Sequence, residues 1–315
     1  MRSRLHLPRV AALVSLFAAF VTVAFAASGF GPDGRASISG KFRNSDIVVS
    51  TSSRTAGAID SLTWNGQQFV NSYDHGRELQ SAAQFNNLHE CYNPTEAGSR
   101  SDGKGSTSTS QLISLETNRN RLTSRSRMAF WLAPGQSSPA CRGETAAYAS
   151  PLSDIELSKT VTIGAHGLPN VIEHDVTFHV PRNYESAVFV GLTAYLPPHF
   201  SRFWTFDPNG DVLTPLTDGP GEVRFPVIIA TADGAYALGV YAQEPPPGQP
   251  RVRYGRWRFD RPGPDNATTK WNCVFRVRGA AAGDYRYTCY SIVGTLEDVK
   301  SSMGKLAAAL RRRAN

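Results

Sequence analysis

Between nearly all of its loop-forming stretches, this chain alternates hydrophobic and polar residues with a period of two, the pattern of half-buried β-strands. In "IELSKTVTI", Ile155, Leu157, Val161 and Ile163 share one face with Lys159 intruding, while Glu156, Ser158, Thr160 and Thr162 share the other. In "FPVIIATADGAYALGVYAQE", two β-rich runs flank Asp233 and Gly234, preferred chemistry for a tight hairpin. A helical period appears only at the end. "TLEDVKSSMGKLAAALRRR" offers Thr295 as N-cap, acids at Glu297 and Asp298, and Val299, Met303, Leu306 and Leu310 along one face. Its closing arginines suit the negative end of the helix dipole. The runs "SRSDGKGSTSTS" (99–110) and "PPPGQP" (245–250) read as loops inside one domain, and either could serve as a lid. The expected fold class is all-β: a large antiparallel β-sandwich with a C-terminal helix, residues 27–315 forming a single domain.

The first residues set the compartment. Arg2, Arg4 and Arg9 precede an apolar run that starts at Ala11, and Ala24 and Ala26 complete a small-residue cleavage pattern. Residues 1–26 are therefore expected to be a signal peptide and the chain to be secreted or periplasmic, with retention as a membrane anchor the alternative. Removing three arginines and no acids takes the formal charge from +7 to +4. The remaining body is nearly balanced, which argues against a nucleic-acid partner and for a neutral or mildly acidic ligand. After cleavage no segment is expected in a membrane.

The four cysteines fit an oxidising compartment. If "TKWNCVFRVRG" and "GDYRYTCYSIV" form a hairpin centred on Ala281, Val277 faces Tyr285, Phe275 faces Tyr287 and Cys273 faces Cys289. Cys91 is then left for Cys141. No spacing resembles a zinc site, so no metal is assigned, and no dinucleotide or phosphate-loop motif appears, so no cofactor is expected.

"AGAIDSLTWNGQQFVNSYDHGRELQ" (56–80) is similar to the opening hairpin of the galactose-mutarotase-like supersandwich proteins. The resemblance lies in Gly57, Ile59, Ser61 and Leu62, the Asn65 and Gly66 turn, then Phe69 and Val70. It implies a supersandwich-like fold with a sugar-facing sheet, shared by aldose 1-epimerases, polysaccharide lyase domains and domains of glycoside hydrolases. Epimerases of that fold carry a carboxylate base late in the chain. Here Asp260, Asp265 and Asp284 fall near turns and Glu297 starts the helix, so mutarotase activity itself has no assigned base.

The stretch "NSYDHGRELQSAAQFNNLHECYNPTEAG" (71–98) concentrates candidate chemistry. From Leu79 the strand should alternate, with Leu79, Ser81, Ala83 and Phe85 facing the core and Glu78, Gln80 and Gln84 facing a groove. Gly76 provides a bend that could re-aim His75 and Arg77 into that groove. His75 is then the candidate general base or acid, Arg77 the group that binds a carboxylate or hydroxyls, and Glu78 a further acid–base contact. Gln80, Gln84 and Glu96 are expected to bind hydroxyls, with Tyr73 and Tyr92 packing on sugar faces. A solvated edge strand is the alternative.

In "NVIEHDVTFHV", Glu173, Asp175, Thr177 and His179 line a polar face from which Glu173 and His179 could reach substrate, while His174 reads as a core histidine. "RVRYGRWRFDR" interleaves Arg253, Trp257 and Arg258 with Tyr254, a mixture compatible with an anionic polysaccharide or single-stranded nucleic acid, or simply with a stacked exposed face. Asn266 begins a glycosylation acceptor motif. Taken together, the sequence points to a carbohydrate-active protein whose partner is an oligo- or polysaccharide, with epimerase-, lyase- or hydrolase-like action placed ahead of a non-catalytic glycan-binding module or a structural envelope protein.

Overall fold

The computed structural model describes residues 32–246, 249–263 and 265–314. The expected signal peptide lies outside them. Among the described residues no helix is long and apolar enough to cross a membrane.

The period-two pattern becomes strands throughout. A four-stranded antiparallel sheet runs from Ala36–Phe42 through Ser45–Thr51 and Ile59–Trp64 to Gln67–Gln68. A 15-stranded sheet carries the remainder. Both sheets feed one hydrophobic cluster, in which Ile47, Val49 and Leu62 of the small sheet meet Phe85, Leu157, Phe178 and Phe189 of the large one. In Leu152–Ile163 burial alternates as expected, and Lys159 does point inward with the apolar set.

The large sheet doubles back on itself. Thr268–Ala280 lies between Tyr184–Leu196 and Arg253–Phe259, whereas Gly283–Gly294 lies between Val171–Val180 and Ala237–Ala242. These two strands follow one another in sequence but are not hydrogen-bonded partners. They face each other across the sandwich, where Phe275 stacks on Tyr287 with ring centroids 4.1 Å apart. Cys273 and Cys289 are joined there, with Cα atoms 7.2 Å apart. The expected pairing of side chains is present, but the hairpin register offered for it is corrected: the residues meet face to face rather than as ladder neighbours. Cys91 is bonded to Cys141, linking two short 3-10 turns.

The helix Leu296–Ala314 starts at Thr295, whose hydroxyl accepts from Asp298 N–H at 3.2 Å while Asp298 accepts from Thr295 N–H at 3.1 Å. This is a reciprocal cap with aspartate in the glutamate position. Val299, Met303 and Leu306 are buried against Ile228, Ala230 and Ile292. Gly239 permits the close approach, since a Cβ there would stand 2.7 Å from Val299. The Val227–Thr231 and Ala237–Ala242 strands pair around the Asp233 and Gly234 turn.

Candidate functional site

The segment before Gln80–Phe85 turns rather than extends. Asp74 accepts the Gly76 N–H through its side chain at 3.1 Å and the Arg77 N–H through its carbonyl at 3.1 Å. Gly76 is required by the close approach of Trp131, whose ring lies 2.5 Å from where a Cβ would be. The bend expected at Gly76 is present, but it turns His75 and Glu78 into the protein and not into an open groove.

His75 is fully buried. Its Nδ1 lies 2.9 Å from the Gly103 carbonyl and its Nε2 2.7 Å from the Arg54 carbonyl, so both ring nitrogens are committed to backbone oxygens. Glu78 is also fully buried; it accepts from Arg54 at 3.2 Å and from Gln80 Nε2 at 3.3 Å. Burial pushes its carboxyl well above the usual carboxylate range, with Arg54 opposing. Gln80 also accepts the Ala97 N–H at 3.0 Å and is itself buried. These three side chains brace the loop that carries Arg77.

Arg77, expected from sequence to bind a carboxylate or hydroxyls of the ligand, is also buried, at 3% exposure, and its guanidinium is taken up by protein partners. It donates to the Asn266 carbonyl and to Asn266 Oδ1, each at 2.7 Å, and pairs with Asp74 at 3.2 Å. Its Cζ lies 4.7 Å from the Tyr73 ring centroid, and Lys104 Nζ lies 3.6 Å from the same ring. Burial draws the guanidinium below its ordinary value, and the charge of Asp74 opposes that effect.

Beyond Arg77, three neighbouring strands present a row of half-buried side chains. Tyr195 is the register partner of Lys270, and Lys270 is the partner of Trp257. Lys270 Nζ lies 4.8 Å from the Tyr195 ring and 4.9 Å from the Trp257 ring. Phe259 is stacked toward Tyr195 at 6.3 Å, and Arg261 lies 5.9 Å from the Phe259 ring. The Trp257 indole lies across Gly255, where a Cβ would come within 2.1 Å of the ring. Aromatic faces and cations are thus neighbours among Tyr195, Lys270, Trp257, Phe259 and Arg261, while Arg77 beside Tyr73 is enclosed. Aromatic faces of this kind can stack on pyranose rings, and cations beside them can attract carboxylate or sulfate groups.

The other expected contacts are scattered. Glu96 is buried beneath Ser81, whose N–H it accepts at 2.9 Å, and is paired with Lys159. Gln84 is half-buried farther along Gln80–Phe85. Tyr92 lies in an aromatic cluster with Phe130 and Tyr148, its hydroxyl 3.1 Å from that of Tyr184 and raised in pKa by burial. Glu173 lies 3.4 Å from His166. His179 lies on the Val171–Val180 strand, 2.7 Å from Asp284 Oδ1, and His174 is a buried core residue 2.9 Å from Ser291 Oγ. Sequence reading did not single out Tyr195 or Lys270. The inward-facing Cys273 places Lys270 on the opposite face by parity, but its alignment with Trp257 requires the strand register, which no local pattern carries.

Among the described residues, a cavity of about 240 Å³ lined by Asp33, Ser53 and Ser108 and another of about 540 Å³ lined by Arg202, Trp204 and Asp218 lie elsewhere. Neither is lined by His75, Arg77 or Glu78. Among the described residues, no three His, Cys, Asp or Glu side chains are placed together as metal ligands.

No family model matches the chain, and no curated protein matches it. Solved structures are similar to it at low identity. The 4-alpha-glucanotransferase from Thermococcus litoralis is 9% identical over 82% of this chain and 38% of its own, with a TM-score of 0.47. Heparan sulfate lyase from Pedobacter heparinus is 8% identical over 85% of this chain and 37% of its own, with a TM-score of 0.44. A protein from Synechocystis sp. PCC 6803 is 11% identical over 85% of this chain and 99% of its own, with a TM-score of 0.42. The chain thus spans well under half the length of the glucanotransferase and the lyase.

Proposed function

We propose that this protein is an exported saccharide-binding protein that recognises an acidic polysaccharide on the surface formed by Tyr73, Tyr195, Trp257 and Phe259 with Lys270 and Arg261. The observation that carries this reading is the cross-strand row Tyr195, Lys270 and Trp257, in which one ammonium is shared by two aromatic faces. Aromatic rings supply apolar area for the C–H faces of sugars, and the cations supply partners for uronate or sulfate. In this reading the buried Arg77 braces the Tyr73 ring from within, while His75 and Glu78, expected from sequence to be acid–base groups, fix the loop that carries both. Two disulfides suit the oxidising compartment that export would reach.

Affinity electrophoresis against a polyuronate, a sulfated glycan and a neutral glucan tests the proposal. Wild type should be retarded by an acidic polymer and not by the neutral one, and retardation should weaken with added salt. Trp257→Ala and Lys270→Ala should each weaken binding by on the order of tenfold. Equal retardation by neutral and acidic polymers, or full retention of binding in both variants, would remove the proposal.

A further inference from the structure

On the large sheet, Ser158, His179 and Asp284 come from three adjacent antiparallel strands, Leu152–Ile163, Val171–Val180 and Gly283–Gly294. His179 is the register partner of Asp284 on one side and of Glu156 on the other, which sets Ser158 diagonally across from it. Ser158 Oγ lies 2.8 Å from His179 Nε2, and His179 Nδ1 lies 2.7 Å from Asp284 Oδ1. The carboxylate can only accept, so Nδ1 carries a hydrogen and Nε2 presents its lone pair to the serine hydroxyl. Serine, base and orienting acid therefore stand in the order, and on the ring nitrogens, that nucleophilic serine catalysis requires.

We propose that Ser158, His179 and Asp284 form a nucleophilic serine site that cleaves carboxylic esters, separate from the saccharide surface and independent of that reading. The Ser158 Oγ attacks the ester carbonyl carbon while its proton passes to His179 Nε2. The imidazolium then gives that proton to the departing alkoxide oxygen, the C–O bond breaks, and an acyl-serine remains. Water attacks the acyl carbon as Nε2 takes its proton, and collapse returns the hydroxyl to Ser158 and releases the carboxylic acid. Asp284 keeps the imidazole in the required tautomer and stabilises its charged form. Arg125, the register partner of Ser158 on Arg121–Phe130, is the cation beside the carbonyl oxygen; its Nε and Nη2 are held by Glu156. The site lies on a sheet face, with the His179 side chain one-third exposed and that of Asp284 two-thirds exposed. An acyl group projecting from an extended or polymeric substrate can reach such a surface without entering a pocket.

The test uses the full chain with a fluorophosphonate probe and with p-nitrophenyl acetate. Mass spectrometry of the labelled wild type should find the phosphonyl adduct on the Ser158 peptide, a readout that depends on no variant. Release of p-nitrophenol should fall by on the order of a hundredfold or more in Ser158→Ala and in His179→Gln, and by less in Asp284→Asn, with circular dichroism unchanged. An unlabelled Ser158, an adduct on another residue alone, or hydrolysis by Ser158→Ala at the wild-type rate would overturn the proposal.

Discussion

Lys159 and Glu96 form an ion pair inside the sandwich, their side chains 0% and 1% exposed. Lys159 intrudes on an otherwise apolar strand face, and Glu96 reaches it from the segment after Pro94–Thr95 while also accepting the Ser81 N–H. Two charges withdrawn from water are tolerated because each answers the other.

Removing one partner exposes that dependence. Lys159→Met fits an apolar face but leaves the Glu96 carboxylate buried without its cation, and should cost roughly 3–5 kcal/mol. The double variant Lys159→Met, Glu96→Gln should recover a substantial part of that loss, because the amide side chain carries no charge and can still accept the Ser81 N–H. Urea denaturation midpoints of the three proteins decide the matter. Equal stability of wild type and Lys159→Met would mean that the pair is not a buried electrostatic unit.

The same charge acts on His174. That imidazole is fully enclosed, and burial, together with the charge of Lys159, holds it well below its ordinary value. The unfolded chain therefore takes up a proton near pH 6.5, where the folded chain does not. With more protons bound in the unfolded state, stability rises with pH across this window and is lost as pH falls below about 6.5, by at most about 1.4 kcal/mol per pH unit. His174→Gln, which cannot titrate, should show a shallower decline in denaturation midpoint between pH 7.5 and pH 5 than wild type. Parallel declines would assign the acid sensitivity to other groups.

What the sequence disclosed follows from which forces are local. Alternation identified the faces of Leu152–Ile163, capping chemistry the start at Thr295 and turn chemistry the Asp233 hairpin, because each is set by residues within a few positions of one another. It could not say which strands are neighbours. The Cys273 and Cys289 bridge was anticipated through a hairpin register, and the two strands instead occupy facing layers. Both arrangements place the same residues opposite each other, since both fold the chain about the same turn. The burial of His75 was illegible for a related reason: its cover comes from Arg54 and Gly103, which are 21 and 28 positions away. Ser158 and Asp284 lie 21 and 105 positions from His179 and share no motif that would join them.

The orientation of Trp257 gives the most specific prediction for the saccharide surface. Its indole lies over Gly255, whose N–H donates to Asn272 Oδ1 at 3.0 Å. A Cβ at position 255 would come within 2.1 Å of the ring and 2.6 Å of that amide oxygen. Gly255→Ala must therefore lift the indole from the sheet and separate it from Lys270, without altering any residue proposed to touch the ligand. Acidic-polysaccharide binding should weaken by on the order of tenfold, about the loss expected of an aromatic contact. Gly304→Ala supplies the comparison, since a Cβ there meets only ordinary contacts, at 3.7 Å and beyond, on a helix that favours alanine. It should bind as wild type. Tryptophan fluorescence would report whether the indole has moved in Gly255→Ala, and a displaced ring with undiminished affinity would show that the row of Tyr195, Lys270 and Trp257 is packing rather than a recognition surface.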